Sequence, residues 1–161
     1  MSEIKHGFAP VYDENSKVLI LGSFPSVKSR QTEFYYGHPQ NRFWRVLASY
    51  FGAPAPKTVE DKRKFVLLNR VALWDIVTEC EIVGSQDATI KNFKVADIKS
   101  LLQNSAISYI ILNGGKAFSV FEKHFADIGI PYERLPSTSP ANTRCSEKEW
   151  HDALRRAFDK A

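Results

Sequence analysis

Cysteine is scarce in this chain. There are two, Cys80 and Cys145, and they form no C-x-x-C pair. Two thiolates cannot supply the four ligands an iron–sulfur cluster normally takes, and two well-separated thiols suit a reducing compartment better than a disulfide framework. The four histidines, His6, His38, His124 and His151, make no H-x-x-x-H pair, which argues against a structural zinc site. No apolar run approaches the roughly 20 residues that a membrane-spanning helix needs. The opening residues Met1 to His6 lack the apolar core of a signal peptide. The expectation is a cytoplasmic compartment, no membrane, no metal and no cofactor.

Acidic residues are missing from particular places. No Asp or Glu occurs from Phe34 to Val59, from Ile107 to Phe121, or from Arg134 to Ser146. The net charge of +4 is only mildly basic, so the distribution says more than the total. If the three stretches meet on one face, that face is positive and suits a phosphate backbone. Core segments also lack acids, so this pattern alone does not decide the matter.

What is present is ordinary for a globular protein. Apolar residues make up 43% of the 161 residues and charged ones 25%, which suits one domain spanning 1–161 with its own core. The pattern alternates short apolar runs with helical periodicity. Strands are expected at Val18 to Leu21, Val71 to Ile76, Ile107 to Leu112 and Tyr132 to Leu135. Helices are expected over Asn41 to Phe51, from Thr58 to near Asn69, Val95 to Gln103, Lys116 to about Asp127, and from Ser146 to about Phe158. Thr58 with Asp61 and Ser146 with Glu149 have the spacing of capping boxes. Strands separated by helices imply an α/β fold, a three-layer sandwich around a four-stranded, mainly parallel central sheet. In such sheets the site lies beyond the carboxyl ends of the strands. The loops after Leu21, Leu112 and Leu135 emerge there.

Each of those loops offers chemistry beside a plainer structural use. Gly22-Ser23-Phe24-Pro25-Ser26-Val27-Lys28-Ser29-Arg30 carries serines and cations suited to phosphate contacts, as any polar first loop does. Phe34 to Trp44 is dense in aromatic residues. Phe43 and Trp44, on the helix, read as core. Tyr36, beside Gly37, fits base stacking and packing equally, and stacking on a base is worth roughly 1–3 kcal/mol. Asn41 stands where a helix begins. It reads either as a cap or as an amide that positions water or a leaving base. Asn113, before Gly114-Gly115, is either a turn residue or a carboxamide able to donate to and accept from a base edge. Lys116 follows at a helix start, where N–H groups suit a phosphate. Pro136-Ser137-Thr138-Ser139-Pro140-Ala141-Asn142-Thr143-Arg144 is a rigid, small-featured loop before a capped helix.

Taken together, G-S-F-P-S, Y-Y-G-H-P-Q-N-R-F-W and S-P-A-N-T-R resemble the uracil-DNA glycosylase superfamily. The first two strings together resemble its hypoxanthine (deoxyinosine) branch. That resemblance implies a monofunctional glycosylase of base-excision repair acting on double-stranded DNA containing a deaminated base, as a monomer and without a cofactor. The target base would be flipped out of the duplex, and hydrolysis would pass through an oxocarbenium-like sugar. Where other branches carry Asp or Asn in the first motif, this chain has Phe24, and the resemblance moves the catalytic amide to Asn41. It assigns Phe24, Tyr36, His38 and Asn113 to the base, and Ser23, Ser26, Lys116, Ser137, Ser139, Asn142 and Arg144 to the DNA. The late loop lacks the histidine of uracil-specific branches, which points to a deaminated purine. The alternatives are a uracil, xanthine or mismatch-specific glycosylase, and a non-catalytic DNA- or nucleotide-binding α/β module. A lyase step through Lys28 or Lys116 has little support.

Overall fold

The structure is a computed structural model and describes residues 3–24, 34–82, 91–140, 142 and 145–160. Its centre is a four-stranded sheet of β2 (Val18–Gly22), β3 (Val71–Asp75), β6 (Tyr109–Asn113) and β7 (Tyr132–Leu135), in the order β3-β2-β6-β7. All three pairings are parallel. The strands are apolar because both faces of the sheet are covered. Every residue of β2 and β6 is buried.

Alternation along the strands divides the core in two. Val18 and Ile20, Val71 and Leu73, and Tyr109 and Ile111 face one side. There they meet α1 (Phe43–Phe51), α2 (Val59–Leu68) and α5 (Glu147–Lys160) through Phe43, Leu47, Val66, Trp150 and Leu154. Leu19, Leu21, Ala72, Ile110 and Leu112 face the other side, against α3 (Ile98–Gln103) and α4 (Gly115–Phe125). Fully burying one such aliphatic or aromatic side chain contributes roughly 1.5–3 kcal/mol.

The helix starts follow their capping signals. Thr58 Oγ1 accepts from Asp61 N–H at 3.0 Å and Ser146 Oγ from Glu149 N–H at 3.2 Å. A second sheet was not foreseen from the sequence. Strands β1 (Glu3–His6), β4 (Val77–Ile82) and β5 (Lys91–Val95) form an antiparallel trio in the order β1-β4-β5. Helix α3 is correspondingly shorter than expected, because Val95 ends a strand and Asp97 caps the helix by accepting from Ser100 N–H at 3.1 Å. Among the described residues no helix is long and apolar enough to cross a membrane.

At the amino ends of the strands, the Tyr109 hydroxyl donates to the Glu133 carboxylate, and the Arg156 guanidinium grips that carboxylate at 2.6 and 3.2 Å. This clamps α5 to the sheet. Burial, and then the Glu133 carboxylate, push the Tyr109 phenol from 10.0 up to about 12, with Arg156 opposing. Burial also raises the Tyr35 and Tyr36 phenols, and the Asp75 charge adds to both. A phenol that binds its proton more tightly when folded contributes stability that is intact below pH 10.0 and lost as pH rises through about 12. The urea midpoint should therefore fall between those two values. Tyr109→Phe should make the fall shallower, and an identical pH dependence in the variant would contradict this account.

Candidate functional site

The carboxyl ends of three parallel strands meet in one row. Gly22 is in register with Asp75, and extending the β2–β6 register by one step sets Gly22 beside Asn113. By alternation all three residues face the α1/α5 side. Gly22 is needed because its neighbours occupy the space a side chain would fill. A Cβ there would lie 2.5 Å from Asp75 Oδ1 and 3.2 Å from Tyr36 Oη.

The loop after β2 returns at once to the fold. Gly22 and Ser23 accept from Ile76 N–H and Val77 N–H at 2.8 and 3.0 Å. Phe24 is only 7% exposed and belongs to the core on the α3/α4 side, so its ring is packed rather than presented. Ser26, together with Lys28, lies outside the described residues.

The aromatic stretch divides between scaffold and site. Tyr35 is buried, and its hydroxyl donates to Ala9 O at 2.8 Å. Trp44 is buried and donates from Nε1 to Tyr35 O at 3.2 Å. Phe34 stacks on Trp44, and the cations of Lys62 and Arg63 lie over Trp44 and Phe34 at 5.3 and 5.2 Å. Tyr36 differs. Its backbone is left-handed, with φ of 52°, a conformation costing a non-glycine residue on the order of 1 kcal/mol or more. One ring face stacks on Phe43 at 4.0 Å between centroids, and the hydroxyl is buried at the strand ends. Its phenol is raised by burial first and by Asp75 second, while the Asn113 carboxamide, which favours the phenolate, opposes both.

From Tyr36 the chain makes a tight turn into α1. Asn41 N–H donates to His38 O at 2.9 Å, and His38 Nδ1 accepts from Gln40 N–H at 3.0 Å. His38 thereby shapes the turn. Asn41 Oδ1 accepts from Phe43 N–H at 2.9 Å, which ties the amide to the first residue of α1, while the N-cap position itself is held by Arg42, whose side chain makes no cap bond. The Asn41 bond uses one of the two lone pairs on Oδ1 and none of the amide's N–H donors. The bond to Phe43 orients the carboxamide without exhausting it.

Asn113 is buried, and its carboxamide is engaged with the loop after β7. Nδ2 donates to Thr138 Oγ1 and Oδ1 accepts from Thr138 N–H, both at 3.0 Å. Each bond again leaves capacity, since the amide has a second N–H and Oδ1 a second lone pair. The same loop is closed internally. Ser137 Oγ accepts from Ser139 N–H at 3.1 Å, and Asn142 Nδ2 donates to Ser137 O at 2.9 Å. Trp150 Nε1 donates to Pro136 O at 2.9 Å, anchoring it to α5. Gly114, with φ of 99°, caps α4 and packs against Ser137. Lys116 is exposed on the first turn of that helix. Arg144 lies outside the described residues.

Three residues passed over in the sequence hold this region together. Arg42 N–H donates to Thr138 O at 3.0 Å, and its guanidinium donates to Ser139 O at 3.2 Å and Asn142 O at 2.8 Å. Thr138 is wholly buried. Asp75, 5% exposed, is the third. An acid closing an apolar run, Val-Ala-Leu-Trp before it and Ile-Val after, was the available signal. The first motif carries no acid of its own, and the adjacent strand supplies one in register with Gly22. The acid-free stretches do meet here, through the bonds from Arg42 and Asn113 to the 136–142 loop. Among the described residues no group of three His, Cys, Asp or Glu side chains could hold a metal ion.

Comparison with known proteins agrees with this arrangement. Residues 9–160 match the model of the uracil DNA glycosylase superfamily. Two curated proteins named hypoxanthine DNA glycosylase align over 156 residues, covering 94% of this chain and 99% of each relative. The one from Methanosarcina acetivorans is 35% identical and the one from Methanosarcina barkeri 32%. The solution NMR structure of a Methanosarcina acetivorans protein, described as a candidate uracil DNA glycosylase, superposes with a TM-score of 0.85 at 37% identity. That match covers 97% of this chain and 99% of the other. With its parallel sheet, its H-P-Q-N-R-F-W turn and a match running through nearly all its residues, this chain belongs to the uracil DNA glycosylase superfamily.

Proposed function

We propose that this protein is a monofunctional DNA glycosylase that hydrolyses the N-glycosidic bond of hypoxanthine in double-stranded DNA. The observation that carries the reading is the Asn41 turn, bound through Arg42 to the 136–142 loop at the carboxyl end of the sheet. The names of the two curated relatives support hypoxanthine as the base. The reading includes one domain acting as a monomer in the cytoplasm, which the low cysteine count suits.

The glycosidic carbon is out of reach inside a duplex, so the nucleotide must be extruded. Asn41 is the residue proposed to hold the attacking water. An amide is too weakly basic to deprotonate water fully, so its contribution is orientation. As the bond to the base lengthens, positive charge develops on the sugar and negative charge on the departing purine. Donors facing the purine then lower the barrier, and the second N–H of Asn113 is the candidate. Tyr36 offers the ring face turned away from Phe43 to the base, with His38 shaping the turn beside it. Ser23, Ser26, Lys116, Ser137, Ser139, Asn142 and Arg144 are the proposed DNA contacts. Their hydroxyl, amide and cationic groups suit phosphate oxygens.

Duplexes carrying one hypoxanthine, xanthine or uracil, followed by hot alkali, test the assignment. Strand cleavage at hypoxanthine is expected to exceed that at the other two, and cleavage at uracil alone would overturn the purine assignment. Binding without cleavage on every duplex would favour the non-catalytic module. Asn41→Ala should lower single-turnover kcat by roughly 10²-fold or more while costing about 1 kcal/mol of stability through the lost bond to Phe43 N–H. Asn41→Ser, which retains an acceptor oxygen, should recover the stability and not the rate. Full activity in the serine variant would reduce Asn41 to a turn residue.

Phosphate contact has a separate signature. Lys116→Ala should weaken DNA binding similarly across sequences and reduce the slope of log K against log salt by about 1. An unchanged slope would remove Lys116 from the interface. Arg42→Ala frees two carbonyls of the 136–142 loop, and weaker DNA binding is the expected result.

A further inference from the structure

Tyr36 is an odd residue to find in a left-handed conformation. Such strain persists only where the surroundings over-determine it, and here the constraints can be identified. The ring is held on one face by Phe43, the first residue of α1. Its hydroxyl reaches into the notch left by the missing side chain of Gly22, where Asp75 Oδ1 also lies. Asn113 completes the row on the other side of Gly22. A buried carboxylate, a buried phenol and a carboxamide thus surround one glycine Cα at the ends of three strands.

Asp75 and Tyr36 act on each other across that notch. The Asp75 charge raises the Tyr36 phenol, second in order to burial. The hydroxyl is buried with the Asn113 carboxamide beside it, and Asp75 Oδ1 and Tyr36 Oη share the space above Gly22. In a site of low dielectric a charge acts far more strongly on its neighbours than in water. Tyr36 in turn begins the turn that ends in Asn41, with His38 O and Nδ1 fixing the intervening backbone. One short, hydrogen-bonded turn therefore joins the phenol to the Asn41 carboxamide.

We infer that Asp75 is a positioning residue, which acts through the Tyr36 phenol in the Gly22 notch to set the turn that carries Asn41. The inference rests on the proposed glycosylase function and adds an acid that the motif strings do not contain. Asp75 does not touch the reacting atoms in this account. It fixes where the water-holding amide stands, and misplacement by about 1 Å costs on the order of 10²-fold in rate.

Tyr36→Phe and Asp75→Asn test it, because each preserves shape. Tyr36→Phe keeps the stack on Phe43 and removes only the hydroxyl; Asp75→Asn keeps the shape, removes the charge and exchanges one acceptor oxygen for an N–H donor. Single-turnover cleavage of a hypoxanthine duplex is measured for both and for the double variant. Each single change should lower kcat about 100-fold with KM within about threefold, and melting temperatures should stay near wild type. The double variant should be no slower than the slower single one, because both changes remove one device. Singles within twofold of wild type, or losses that multiply to about 10⁴-fold in the double, would overturn the inference while leaving the glycosylase reading intact. Should Asp75→Asn fail to fold, the kcat of Tyr36→Phe decides alone. A wild-type protein that cleaves none of the duplexes overturns both readings.

Discussion

The paired hydrogen bonds between the Asn113 carboxamide and Thr138 tie the last loop of the sheet to its middle, and the rest of the site is assembled on that loop. A buried carboxamide left without partners costs roughly 1–3 kcal/mol for each group. The 136–142 segment is therefore held in one place with respect to β6. Once it is fixed, its carbonyls present acceptors to Arg42, its Pro136 oxygen to Trp150, and its Ser137 side chain a surface to Gly114. Helices α1, α4 and α5 are aligned on it together.

The site also depends on small residues that create room. Gly22 admits the Asp75 carboxylate and the Tyr36 hydroxyl to the end of the sheet, and Gly114 admits Ser137. Beyond these notches the surroundings are apolar and aromatic, with Phe43 and Trp150 wholly buried. Polar groups are few there, and hydrogen bonds occupy most of them. This is the setting in which fixed dipoles affect charge most strongly. A reaction that builds charge on a departing base needs such surroundings.

The acid-poor stretches illustrate how charge and packing coexist. Part of their length is core, as for Phe43 to Ala48 and Tyr109 to Leu112. Their loop portions converge at the strand ends, where Lys116 is exposed and Arg42 is committed to carbonyls. The acid at those ends, Asp75, is buried. Packing accounts for the missing acids in the core part of these stretches, and the proposed DNA contact concerns the loop part.

Apolar runs and capping spacings determined the four central strands and the helix starts at Thr58 and Ser146, because these depend on periodicity and on contacts only three residues long. The order of the motif strings was enough to resemble the family. Tertiary structure alone decided what depends on contacts distant in sequence. Examples are the pairing of Gly22 with Asp75, the Arg42 bonds almost a hundred residues away to Ser139 and Asn142, and the second sheet joining β1, β4 and β5. Asn113 showed in sequence only as a turn residue or a base contact, and the fold gave its carboxamide to Thr138. Local rules carry no information about which strand lies beside which, and that adjacency is what puts an acid next to a motif that lacks one.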